Sequence, residues 1–128
     1  MNPSIELQKA IFTKLSQGIY PVYDYLPASP EYPHIAIGEE AMVDASTKTH
    51  ERTSHMVTLH CWSKYRGSKE IKEMNSFVVD SLTEFDLPMT GFTLDIVQID
   101  MVQVFKELDE GNLIFHGVVQ LNFNLTEE

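Results

Sequence analysis

Apolar residues recur at the helical interval in two stretches of the chain and alternate at the strand interval in two others. Leu7, Ile11 and Leu15, with Phe12 beside them, form one apolar stripe and predict an amphipathic helix. Asn2 is placed to cap it, and Pro3 takes its first position, where the missing N–H costs nothing. Gly18 is placed to stop it. Ile71, Met74, Val78 and Leu82 predict a second helix, with Ser68 as candidate N-cap and Pro88 and Gly91 closing the region. In His55–Trp62, Val57, Leu59 and Cys61 share one face, and Met56, Thr58, His60 and Trp62 the other. Leu113–Leu125 alternates in the same way, with Leu113, Phe115, Val119, Leu121, Phe123 and Leu125 on one side and His116, Gln120, Asn122 and Asn124 on the other.

The remaining segments are less regular. Ile19–Leu26 reads as a short strand, held to an edge by Pro21 and Pro27. Pro27, Pro30 and Pro33 punctuate a loop before a brief apolar strand, His34–Gly38. From Glu39 to Ser54 the chain is polar, and about sixteen residues is long for a connection, which predicts a functional or mobile loop. Thr93–Phe105 is rich in Ile and Val, but its polar residues change phase between Asp95 and Gln98, which predicts a bulge. Asp109-Glu110-Gly111-Asn112 is a hairpin turn. The order is α-β-β-β-α-β-β. It predicts an α+β fold: a mostly antiparallel sheet with two helices packed on one face, in a single domain over 1–128. Trp62, at the end of its strand, is expected to pack against a helix.

Composition narrows the class. A chain of 128 residues with 43% hydrophobic and 10% aromatic residues supports one core without staples. Cys61 is the single cysteine, so no intramolecular disulfide is available. The N-terminus lacks a basic segment followed by an apolar run, and no stretch approaches the ~18 apolar residues of a membrane span, so a soluble cytoplasmic product is expected. The charge of −10 is uneven: residues 1–72 balance, and the deficit lies in 73–128, where Lys106 is the only base. A broad phosphate-binding stripe is therefore excluded. The acidity suits a solubilising surface, a contact with a basic neighbour, or a channel wall that repels DNA.

Catalytic and metal chemistry find little support. No serine sits in a nucleophile elbow. Cys61 alternates with core positions and reads as a buried, inert thiol. His34, His50, His55, His60 and His116 show no ligand spacing, and read as surface histidines. The adjacent carboxylates Glu39-Glu40 and Asp109-Glu110 do not converge across a cleft. Lys64-Tyr65-Arg66-Gly67-Ser68-Lys69 is the best small-site candidate: it opens a helix, yet lacks a complete phosphate-loop pattern. Its bases suit pairing with a neighbouring subunit's carboxylates, a solvated turn, or a phosphate ligand. The candidate contacts are Lys64, Arg66, Lys69 and Lys72, with Glu39, Glu40, Lys48 and Arg52 of the polar segment. No catalytic residue, metal or cofactor is expected.

Several stretches carry a resemblance. Tyr32-Pro33-His34-Ile35-Ala36-Ile37-Gly38-Glu39, then Val57-Thr58-Leu59-His60-Cys61-Trp62-Ser63 with Gly67 and Glu70, then Asp109 and Gly111 before a final alternating strand, resemble in order and length the tail-completion (tail-terminator) proteins of long-tailed bacteriophages. Where many members carry a basic residue in the last strand, this chain has His116-Gly117. The resemblance implies a non-enzymatic subunit of a hexameric ring at the head-proximal end of the tail tube. Such a ring stops tube polymerisation, contacts the tail tube protein and the head connector or stopper, and lets DNA pass through its lumen without specific binding. It implies a place in the virion tail, and in the host cytoplasm during assembly. The competing reading is an acidic intracellular adaptor or DNA mimic without catalytic activity; self-assembly separates the two.

Overall fold

The computed structural model describes residues 2–84 and 86–128. Helix α1 spans Pro3–Leu15, and the Asn2 side-chain oxygen accepts hydrogen bonds from the backbone N–H groups of Ser4 and Ile5 at 2.9 and 3.3 Å. Leu7, Ala10, Ile11 and Leu15 are buried, whereas Phe12 lies off the stripe and is exposed. The helix ends before Gly18, with Ser16 as its C-cap. Helix α2 spans Lys69–Thr83 and buries Ile71, Met74, Asn75, Val78, Ser81 and Leu82. Ser68 occupies the N-cap position, but its side chain makes no capping bond. The turn is braced instead by Ser63, whose hydroxyl donates to Glu70 at 2.6 Å and accepts the Tyr65 N–H at 3.1 Å.

Five strands complete the fold: β1 (Val22–Tyr23), β2 (His34–Asp44), β3 (Arg52–Ser63), β4 (Phe92–Asp109) and β5 (Asn112–Glu127). They form one sheet in the order β1-β2-β3-β5-β4. Only the β1–β2 pair is parallel. The expected α+β fold is observed, with a mostly antiparallel sheet and the order helix, strands, helix, strands. Both helices pack on the face carrying Val57, Leu59 and Cys61. There Leu7, Ile11, Leu15, Ile71, Met74, Val78 and Leu82 meet Val119, Leu121, Phe123 and Leu125.

Three expectations are corrected. The strand expected over 19–26 contracts to Val22–Tyr23, because β1 pairs with β2 only at Ile35 and Ala36. Ile19 and Tyr25 are left exposed. The polar segment 39–54 is not a long loop. Strand β2 continues past an irregularity between Ile37 and Glu40 to Asp44, opposite a β3 that already begins at Arg52. β2 is exposed there, so its side chains need no apolar alternation; the ladder to β3 pairs its backbone on that side. A turn of residues 45–51 remains, tied by Ala45 N–H to Arg52 C=O and Thr47 N–H to His50 C=O, both at 2.9 Å. Amide exchange is therefore expected to be fast in 45–51 and slow in 55–62 and 113–125. Exchange in 39–44 as fast as in the turn would show that β2 stops at Gly38. The third is Trp62, which faces away from the helices.

The β4–β5 hairpin follows the reading more closely. Asp109 pairs with Asn112 across Glu110 and Gly111, at φ 51° and 83°. Positive φ at both central residues is the primed turn that matches strand twist, and Gly111 adopts it without a Cβ penalty. The phase change in β4 resolves into two irregularities, between Leu94 and Ile96 and between Ile99 and Met101. Asp95 and Asp100 are the extra residues, and each bulge resets which side chains face the helices.

Candidate interaction surfaces

Trp62 lies on the sheet face turned away from the helices, as its alternation with Val57, Leu59 and Cys61 requires. The expected packing against a helix is therefore wrong. Its ring stacks on His116, with centroids 3.8 Å apart and planes 7° from parallel. On its other neighbouring strand the stacked partner is His34, at 6.4 Å.

Around this pair, four strands contribute one polar chain. Glu39 of β2 meets His60 Nε2 at 2.7 Å, His60 Nδ1 meets His116 Nε2 at 2.7 Å, and His116 Nδ1 meets Glu107 of β4 at 3.3 Å. Gly38 makes room for this: a Cβ there would lie 2.5 Å from the His60 ring. Three hydrogen bonds need three protons, and two neutral imidazoles carry two N–H groups. The fully bonded chain therefore holds one proton more than two neutral imidazoles supply. The hydrogen bond from His60 holds the Glu39 carboxyl below its usual range. Burial pushes His116 down, against the opposing pull of Glu107. His34 is also pushed down by burial. Its Nδ1 meets the Glu31 carbonyl at 2.7 Å, and its Nε2 has no hydrogen-bond partner among the described residues. Burial pushes the Cys61 thiol up to about 12, which leaves it inert as a nucleophile. Among the described residues, no three His, Cys, Asp or Glu side chains converge in a way that would hold a metal ion. No helix among them is long and apolar enough to cross a membrane.

The eight candidate contact residues do not form one patch. Lys64, Arg66, Lys69 and Lys72 are exposed together at the start of α2. Lys64 lies over the Tyr32 ring at 4.4 Å, and Lys69 approaches Glu73 at 3.9 Å in solvent, while Arg66 and Lys72 form no ion pair among the described residues. Lys48 and Arg52 lie at the opposite end of β3, Lys48 in the turn and Arg52 3.9 Å from Asp95. Glu39 belongs to the histidine chain on the open face. Glu40 turns toward the helices, accepts a hydrogen bond from Ser4 of α1 at 2.9 Å, and lies 2.6 Å from Nδ1 of buried His55. It ties α1 to the sheet and is already committed within its own subunit.

A surface the sequence reading did not single out lies on β4. Ile96, Ile99, Met101, Val102, Phe105 and Leu108 are between 39% and 75% exposed. The signal was present: Thr93–Phe105 is apolar in both alternation phases, as a strand covered on both faces would be. Between β4 and α2 runs a groove of about 370 Å³ lined by Lys72, Asn75, Ser76, Val79, Asp80, Val102 and Val104. The chain thus offers an apolar strand flank, a basic helix start and a polar open face, which are means of contact and not of catalysis.

Comparison with known proteins agrees. The family model described as tail completion protein gp17 matches residues 9–125. The tail completion protein gp17 of Bacillus phage SPP1 is 25% identical over 125 residues, covering 93% of this chain and 91% of that protein. A chain in the virion of a native gene transfer agent particle has a similar fold, with a TM-score of 0.79 at 20% identity over 98% of this chain and 97% of its own. The family match runs from within α1 to near the end of β5 and takes in every surface described above. The chain belongs to the tail completion protein gp17 family and is a structural component of phage tails, not an enzyme.

Proposed function

We propose that this chain, as one domain over 1–128, is the subunit of a ring that closes the head-proximal end of the tail tube. It ends tube polymerisation there and offers the surface on which the head connector or stopper docks. The observation that carries this reading is the family match over residues 9–125. Two features of the molecule support it: an exposed apolar strand flank that suits packing between subunits, and an excess of acidic residues that suits a lumen through which DNA slides without sticking. In this reading the protein resides in the virion tail, is assembled in the host cytoplasm, and contacts copies of itself, the tail tube protein and the connector.

Negatively stained images of the protein mixed with tail tubes test the reading. Rings on one end of each tube, and tubes of uniform length, are the expected result. Uncapped tubes beside a monomeric protein would favour the acidic adaptor instead. The basic start of α2 supplies a second test. Arg66→Glu with Lys69→Glu lies on the surface and is expected to change stability by less than about 0.5 kcal/mol. It should nevertheless impair capping and leave tails that overgrow or fail to join heads, because opposed charges at a contact set encounter rate and register. Added salt should weaken the wild-type contact in the same direction. Normal capping by the double variant would reduce this segment to a solvated turn.

A further inference from the structure

The two edges of the sheet are both unsatisfied, and they differ. β4 is bonded on one side only, to β5. Its exposed apolar side chains point both ways: Ile96, Met101 and Phe105 share the face of His116, while Ile99, Val102 and Leu108 share the helix side. Edge strands are ordinarily guarded by charge, and the bulges at Asp95 and Asp100 prevent a long regular ladder from being added. A partner would therefore meet side chains rather than backbone. Asp95 is already engaged by Thr126 and Arg52. At the opposite edge, β1 covers β2 only at Ile35 and Ala36. Beyond it Met42 and Val43 are exposed, next to an α1 whose Ser4 touches Met42 at 3.8 Å and whose Ile5 and Phe12 are also exposed.

We propose that the β4 flank of one copy docks against the β2 edge and α1 of the next copy, in a repeating head-to-tail contact. The proposal rests on the ring reading above and names the surfaces that make the ring. A two-fold dimer through β4 would leave the β2 edge bare on both copies, whereas a head-to-tail contact covers both edges on every copy and closes into a ring when its rotation permits. Charge agrees with this pairing. Lys72, with Lys69 and Arg66 nearby, borders the β4 groove at the start of α2, and Asp80 lines it further along the helix, while Asp24 and Asp44 are exposed along the β1–β2 edge. Asp80 and Asp100 are the acids on the β4 side that this contact must leave in solvent.

The test uses two single substitutions in the full chain, Val102→Glu on β4 and Val43→Glu on β2, followed by sedimentation across a range of concentrations. Both sites are exposed, so each variant should fold with the wild-type melting temperature. Each should lose self-association by at least roughly a hundredfold, since each buries a charge in one half of the contact. Mixed in equal amounts, they should form a one-to-one heterodimer that grows no further, because only the intact β4 of one and the intact β2 edge of the other remain. A Val43→Glu variant that still dimerises alone would overturn the proposal in favour of a two-fold contact through β4. Rings of Val102→Glu that form normally but no longer cap tubes would overturn it by assigning β4 to the tail tube protein. Variants that assemble like the wild type would overturn it and leave the ring reading standing. A wild-type protein that stays monomeric both free and on tail tubes removes the ring reading, and this contact with it.

Discussion

Phe123→Ala is expected to cost about 3–5 kcal/mol of stability, while Phe105→Ala, in the same hairpin, should cost about 1 kcal/mol or less. Phe123 is fully buried on the helix side of β5, paired with His55 of β3 and Val97 of β4. Removing its ring leaves a cavity among side chains held by both helices and the sheet, and such a site collapses little. Phe105 faces the open side of an edge strand and is 40% exposed, with the His116 ring at 5.9 Å as its aromatic contact. Truncating it removes mainly surface that water already reaches. Thermal or denaturant unfolding measures both, and the Phe123 variant should melt lower by on the order of 10 °C or more. The pattern inverts for assembly: Phe105→Ala should weaken self-association while leaving the monomer intact. Equal losses of stability at the two positions would mean that β4 is already covered within the monomer.

Acidification from pH 7 toward pH 5 should destabilise the fold, with the loss centred on His34 and His116. Both have folded pKa values pushed down by burial, so in this range the unfolded chain binds more protons than the folded one. Stability then rises with pH; it is fully present above the ordinary histidine range and is lost as pH falls through it. The slope is at most about 1.4 kcal/mol per pH unit for each such histidine. The depressed Glu39 adds a second loss at lower pH, below the ordinary carboxylate range, as its partnership with His60 breaks. His116 Nε2 lies 2.7 Å from His60 Nδ1, so protonation of His116 acts on a contact beside the Trp62 stack. Trp62 is the only tryptophan and stacks on His116, so its emission reports the protonation of His116 directly. His34→Phe should flatten the pH dependence of unfolding, and His116→Gln should abolish the pH step in Trp62 emission. A wild-type protein equally stable at pH 5 and pH 7, with unchanged emission, would show that these rings titrate as free histidines.

Much of the chain's contact chemistry lies where local sequence says least. The basic residues at the start of α2 are visible as a run, and the structure keeps Lys64, Arg66, Lys69 and Lys72 together on one exposed turn and helix start. Glu40 shows the opposite: beside Glu39 in sequence, it is turned to the other face of β2 by the irregularity after Ile37 and consumed by Ser4 and His55. The histidine chain could not be read from spacing, because His60 and His116 meet only through the β3–β5 register, 56 residues apart.

The amino-acid sequence alone determined both helices, the alternating faces of β3 and β5, the Glu110-Gly111 turn and the disturbed phase of β4. Each follows from side-chain periodicity or from local backbone preference, which act over a few residues. It also determined that Trp62 opposes Val57, Leu59 and Cys61, since strand alternation leaves no choice. Only the tertiary structure decided which of those two faces the helices cover, and so whether Trp62 meets a helix or His116. Only pairing with β3 turned the polar segment after Gly38 into strand, because a ladder satisfies backbone groups whatever the side chains are. And only the order β1-β2-β3-β5-β4 placed an apolar strand at the rim of the sheet. Strand order is a property of long-range pairing, which no local pattern encodes, and it is what converts a run of Ile and Val from core into contact surface.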